Sequence, residues 1–122
     1  MRYEIKNFKG LKIWQKGMDI VIGIYQLIKK LPRSEVYNLI SQISRSSVSI
    51  PSNIAKGGAR SGTKDYKRFL EIALGSAFEL ETQLLIIQNV KLLSEDEVSK
   101  SLELVCEEQK MIQRFIATLM SS

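Results

Sequence analysis

The stretch Ser44–Gly62, S-R-S-S-V-S-I-P-S-N-I-A-K-G-G-A-R-S-G, decides how the rest of the chain is read. A proline, Pro51, stands inside an otherwise helical pattern. Ile43, Ser47, Ile50 and Ile54 recur at spacings of four and three on both sides of it. The preserved phase indicates one helix kinked at Pro51, not two helices meeting at a sharp angle. Proline removes a backbone donor and displaces the carbonyl four residues back, that of Ser47. Nearby serine hydroxyls are candidates to satisfy the freed groups. Gly57 and Gly58 are expected to end the helix, and Gly62 adds a second break.

Working outward, this second helix is expected to start near Ser34, a good N-cap residue, with Val36, Leu39, Ile40 and Ile43 on its apolar face. The first helix is expected over Leu11–Leu31, stopped by Pro32. It carries two apolar rows: Trp14, Met18, Val21, Tyr25 and Ile28, and beside them Ile13, Ile20, Ile24, Leu27 and Leu31. One row suffices for a bundle core. The second suggests a further buried face, most simply against another subunit.

The third helix is expected from Thr63, with Asp65 favourably placed against the helix dipole. Tyr66, Leu70, Ala73, Ala77, Leu80, Leu84 and Ile87 supply its core row. A small-residue patch, Ala73, Gly75, Ser76 and Ala77, would let another backbone approach closely. The fourth helix opens on Ser94-Glu95-Asp96-Glu97, where Ser94 and Glu97 have the spacing of a capping box. Val98, Leu102, Val105, Gln109, Ile112, Ile116 and Leu119 carry its periodic face. The fold expected is all-α, an antiparallel up-down-up-down four-helix bundle. It forms one domain over 1–122, with 1–10 as an N-terminal extension.

Composition agrees with a helical globular chain. Of 122 residues 44% are hydrophobic, and the two prolines and seven glycines are too few for a turn-rich β fold. A single cysteine, Cys106, excludes an intramolecular disulfide. The N-terminus lacks a signal-peptide pattern, and Asp19 and Gln26 break the best apolar run, so a cytoplasmic protein away from the membrane is expected.

Reaction chemistry is not visible. The chain has no histidine, the commonest general base and metal ligand. Glu79 and Glu81 point to different sides of one helix. Glu103 and Glu107 share a face, but read better as a solvated acidic surface. Cys106 is flanked by Glu107 and Glu108, which disfavour its thiolate. No phosphate-binding glycine motif is present. The expectation is a non-enzyme without catalytic residues, metal or cofactor.

Charge is segregated instead. Residues 1–68 hold 14 Lys and Arg against 4 Asp and Glu, whereas residues 69–122 hold 4 against 9. The basic part suits a polyanion. Arg45, Lys56, Arg60, Lys64, Lys67 and Arg68 are the candidate nucleic-acid-binding residues, contacting phosphates with help from backbone N–H groups at the start of the third helix. The alternatives are a plain basic surface or a subunit interface. Arg45 in particular would be structural if it were buried against Glu79 or Glu81. Tyr37 and Tyr66 are close enough for base stacking, but core packing suits each better.

Three stretches carry a family likeness: Leu11–Tyr25 (L-K-I-W-Q-K-G-M-D-I-V-I-G-I-Y), Gln42–Gly57 (Q-I-S-R-S-S-V-S-I-P-S-N-I-A-K-G) and Arg68–Leu84 (R-F-L-E-I-A-L-G-S-A-F-E-L-E-T-Q-L). In order and spacing the chain resembles the four-helix-bundle proteins encoded in intervening sequences of bacterial 23S ribosomal RNA genes. It is distantly similar to accessory proteins of diversity-generating retroelements. The resemblance implies a ring-like homopentamer with a basic surface and no established enzyme activity. In the retroelement relatives such a pentamer binds a reverse transcriptase and nucleic acid. Two positions depart from the family pattern: Lys56 stands where an acidic residue is usual, and Gly17 where alanine is common, which should loosen the first helix slightly.

The function expected is therefore a homo-oligomeric, pentameric protein that binds RNA or structured DNA through phosphate contacts. The alternative is a protein-interaction scaffold or accessory subunit of a nucleic-acid enzyme.

Overall fold

Local patterning and tertiary packing agree on four long helices. A computed structural model of the chain describes residues 7–121. Helix α1 spans Lys12–Ile28, α2 Ser41–Gly58, α3 Thr63–Asn89 and α4 Glu95–Ser121, and no strand occurs among the described residues. Each helix packs on the next, and α4 closes back on α1. Of the N-terminal extension, residues 1–6 lie outside the described residues. Phe8–Gly10 form a short 3-10 turn whose Phe8 ring meets Trp14 edge-on, at 5.4 Å between centroids.

The core is assembled from one row of each helix. α1 contributes Ile13, Ile20, Ile24 and Leu27, with Leu31 beyond its end. α3 contributes Tyr66, Leu70, Ala73, Ala77, Leu80, Leu84 and Ile87, all buried as their spacing implies. The other row of α1 is split. Trp14 and Ile28 pack against the core edge, whereas Met18 and Tyr25 are exposed. Ile22 joins them on the outside, so α1 shows solvent an apolar row at spacings of four and three.

α2 passes through Pro51 without interruption, and Ile43, Ser47, Ile50 and Ile54 on either side of the proline are all fully buried. Its serine hydroxyls reach upstream. Ser44 donates to the carbonyl of Ile40, Ser46 to that of Gln42 and Ser47 to that of Ser44, so these bonds do not satisfy the carbonyl freed at Ser47.

The start of α2 departs from expectation. Ser34 is not an N-cap. Pro32 holds extended backbone, Arg33–Glu35 form a tight 3-10 turn, and Val36–Ile40 follow as a wide π-helical turn before α2 begins. The change of winding alters which side chains face inward. Leu39 is buried, but Val36 is 46% exposed and Tyr37 96%.

α2 ends at Gly58, as its glycines implied, though not through a left-handed C-cap. No glycine among the described residues has positive φ, and Ala59, the C-cap, holds right-handed backbone. Gly57 is instead a point of close approach. A Cβ there would stand 2.8 Å from Cδ1 of Tyr66 and 3.2 Å from Cβ of Phe69. The left-handed residue is Lys91, with φ 62°, after α3. Leu92 N–H donates to the Ile87 carbonyl across it, the six-to-one bond of a Schellman ending.

The capping box of α4 forms as its spacing implies. Glu97 N–H donates to Ser94 Oγ at 3.2 Å, and Ser94 N–H donates to Glu97 Oε1 at 2.9 Å. These bonds hold the Glu97 carboxyl below its ordinary range, the backbone bond from Ser94 most of all.

Candidate nucleic-acid interface

The turn between α2 and α3 gathers most of the basic residues. Gly57 lets the two helices approach closely, and α3 starts at Thr63 after extended backbone at Gly62. Gly62 has no side chain to cap the helix, so the first N–H groups of α3 are not capped from that position. Lys64, Lys67 and Arg68 line one hollow with Ser61, Gly62, Asp65 and Glu71.

Phe69 organises the two arginines, a role that counting charges does not reveal. The guanidinium carbons of Arg60 and Arg68 each lie 4.7 Å from the centroid of its ring. Phe69 is itself buried, so its ring is a fixed platform that orders two flexible side chains. The signal was local, since Phe69 directly follows Arg68.

Two exposed carboxylates temper this cluster. Arg68 Nε lies 3.6 Å from Asp65, and Lys67 Nζ 3.8 Å from Glu71. Exposed pairs of this kind contribute at most about 1 kcal/mol. Both cations therefore stay available to a competing phosphate. Lys56, on the last turn of α2, is exposed and joins no ion pair among the described residues.

Arg45 is set apart from this group. It lies twelve residues before Gly57, which along a helix is roughly 18 Å. It is exposed, and its Nη2 donates to Ser41 Oγ at 3.3 Å. It lines a different groove, between α2 and α3, with Gln42, Ser46, Ser49, Ser76 and Glu79. That groove is bridged by a 2.8 Å hydrogen bond between the hydroxyls of Ser49 and Ser76, and Asn53 Nδ2 donates to Ser49 Oγ. Arg45 is not buried and forms no salt bridge with Glu79 or Glu81 among the described residues. With Glu79 in the same groove, its surroundings are of mixed charge.

The tyrosines take different places. Tyr66 is buried with its ring edge-on to Phe115 at 5.7 Å, whereas Tyr37 is almost fully exposed on the π-helical turn, far from the expected core packing.

Elsewhere, acidic residues are engaged structurally. Glu107 accepts from Lys16 Nζ at 2.6 Å, which holds its carboxyl below the ordinary range. Glu81 accepts from Gln109 Nε2 at 2.8 Å and from Cys106 Sγ at 3.7 Å. The Cys106 thiol is pushed up by burial first and by Glu81 next; its chain neighbours Glu107 and Glu108 are not the cause. No cluster of three or more metal-ligating side chains occurs among the described residues. No helix among them is long and apolar enough to cross a membrane.

The family model described as 23S rRNA-intervening sequence protein matches residues 9–114. A crystal structure of a protein of unknown function from the S23 ribosomal protein family of Bacteroides thetaiotaomicron superposes with a TM-score of 0.80. The identity is 24%, over 85% of this chain and 97% of that one. This likeness establishes the fold. Neither description names an enzyme. Among curated proteins, none is similar enough in sequence to count as a relative.

Proposed function

Since the chain belongs to the family of 23S rRNA-intervening sequence proteins, we propose that it is a non-catalytic, cytoplasmic homo-oligomer, a pentamer, that binds RNA or structured DNA through phosphate contacts at the α2–α3 turn. The observation that carries this reading is the pair of arginines, Arg60 and Arg68, held on Phe69 beside Lys64 and Lys67. Guanidinium groups ordered on a ring lose little freedom on meeting a phosphate and offer planar donors to it. Lys56 adds a cation one turn away. Arg45 belongs at the margin of this surface, because it shares its groove with Glu79. Self-assembly is supported by the exposed apolar row Met18, Ile22 and Tyr25 on α1.

The test is binding to RNA and to duplex DNA across a salt series, with the mass of the assembly measured in parallel. Affinity should fall steeply as salt rises. Replacing Lys56, Arg60, Lys64 and Lys67 with alanine should weaken binding while the mass stays unchanged. Affinity indifferent to salt, or unaltered in that variant, would refute the phosphate-contact reading.

The same apolar row of α1 favours a second reading, a scaffold or accessory subunit for a nucleic-acid enzyme such as a reverse transcriptase. An assembly that binds no nucleic acid but forms a stoichiometric complex with such an enzyme, lost in Ile22→Glu, would favour it.

A further inference from the structure

Among the described residues, Glu108 is the one charged residue type in the core. It sits on α4 with its side chain fully buried, and neither carboxyl oxygen has a hydrogen-bond partner among the described residues. It lies where three helices meet. The position of a Cβ on Gly17 of α1 would be 3.3 Å from Glu108 Oε2 and 3.3 Å from Cβ of Pro51 on α2. The missing side chain at residue 17 makes room for the carboxyl, and Pro51 supplies no backbone N–H to bind it.

The charged groups around this junction do not neutralise Glu108. From α1, Lys16 is the cation whose field acts on it, but its Nζ is bonded to Glu107 at 2.6 Å. From α2 comes Pro51; the cations of that helix, Arg45 and Lys56, are exposed, and Arg45 lies in the groove between α2 and α3. Of the four α3 carboxylates, Asp65 and Glu71 are paired with Arg68 and Lys67, Glu79 accepts from Gln83, and Glu81 accepts from Gln109 and Cys106. On α4 itself, Glu107 is paired outward. An ionised carboxylate shut off from solvent, with no donor among the described residues, is strongly disfavoured, so the closed packing selects the neutral acid.

We propose that the junction of Gly17, Pro51 and Glu108 is a proton-dependent closure: α1 packs tightly on α2 and α4 around the neutral acid of Glu108, and loosens when that proton passes to solvent. Burial pushes the Glu108 carboxyl up to about 8, against the opposing field of Lys16, so the change falls within reach of neutral pH. α1 is the helix that carries Met18, Ile22 and Tyr25, so the closure governs how firmly that apolar row is presented.

The sign follows from linkage. The folded state binds this proton more tightly than the unfolded state, so Glu108 lowers stability progressively as pH rises from its ordinary value near 4.5 to about 8. The experiment uses the full chain. Carbon-13 NMR titration of the glutamate carboxyls should show one group titrating near 8, absent in Glu108→Gln. The urea midpoint of the wild type should fall between pH 5 and pH 9 relative to that of Glu108→Gln, roughly tenfold in the unfolding equilibrium per pH unit over the titration window. Amide exchange of residues 13–20, compared with the variant at each pH, should accelerate selectively in the wild type at high pH. A Glu108 carboxyl titrating between 4 and 5, parallel pH profiles for the two proteins, or acceleration spread evenly over all four helices would overturn the proposal. If Glu108→Gln fails to fold, the wild-type titration and exchange pattern decide alone.

Discussion

Gly57 of α2 stands so close to Tyr66 of α3 that a β-carbon on it would lie 2.8 Å from the ring's Cδ1. The ring cannot simply swing clear, because its other side meets Phe115. This contact sets the approach of α2 and α3 immediately before the turn that carries Arg60, Lys64 and Arg68.

Gly57→Ala should therefore destabilise the protein. Overpacking costs about 1–3 kcal/mol, against about 1 kcal/mol that alanine recovers inside a helix. A net loss of roughly 1 kcal/mol is expected in urea unfolding. Gly75→Ala is the contrast: nothing lies within 4 Å of a Cβ there. It should gain about 0.5–1 kcal/mol. A loss at residue 75 with an unchanged monomer fold would show that another subunit uses the space.

Lys91→Gly should stabilise the end of α3. Lys91 holds φ 62°, a conformation that costs an L-residue about 1–2 kcal/mol and glycine almost nothing. Part of that gain is lost to the greater freedom of glycine in the unfolded chain. The expected net effect is about 0.5–1 kcal/mol, read as a higher urea midpoint with an unchanged slope.

Ser94→Ala should remove the bond that the serine hydroxyl accepts from Glu97 N–H and cost about 1 kcal/mol, while the backbone N–H of residue 94 still donates to Glu97. The other half of the box, which Glu97→Ala removes, has a pH signature, because its carboxyl is lowered mainly by the backbone bond from residue 94. Its contribution is present above the ordinary carboxylate range and is lost as pH falls through the lowered value in the folded protein. The difference between wild type and Glu97→Ala should shrink on acidification. A difference constant with pH would show that Glu97 takes no part.

Phe69→Leu tests the aromatic platform separately from the charges it carries. Leucine keeps the site apolar, and the fold should survive with a modest loss of stability. Each guanidinium loses a contact of about 0.5–1 kcal/mol and the ordering that came with it. Nucleic-acid affinity should fall several-fold in a fluorescence-anisotropy titration, while its salt dependence stays the same because the charges remain. Unchanged affinity would leave the ring a purely structural part of the α2–α3 packing.

The features legible in the sequence are those written within a few residues. Ser94 and Glu97 are three apart on one chain segment, so their reciprocal bonds need no tertiary partner. The core row of α3 repeats over six turns, and a period that long admits one buried face. The basic segment was likewise visible, but not its division. Arg45 and Arg60 are close in sequence yet end in different grooves, because the length of α2 separates them and α3 supplies Glu79 to one and Phe69 to the other.

The family likeness stated from three short stretches agrees with the match over residues 9–114. Within α1, by contrast, two apolar rows compete, and periodicity treats them alike. Helix packing resolves the choice: Ile20 and Ile24 are buried, and Met18 and Tyr25 face outward. Glu108 was hidden for a related reason. Its type reads as surface, and its burial depends on α1 crossing with a glycine at residue 17.

From its sequence alone the chain determined four helices, the core row of α3, the cap of α4, the family and the concentration of basic residues in residues 1–68. Those properties are local or additive along the chain. Tertiary structure alone decided which row of α1 faces the core, how the basic residues divide between two grooves, and that a carboxyl lies against Gly17 and Pro51. Each of these depends on side chains from different helices meeting at distances that no spacing within one helix encodes.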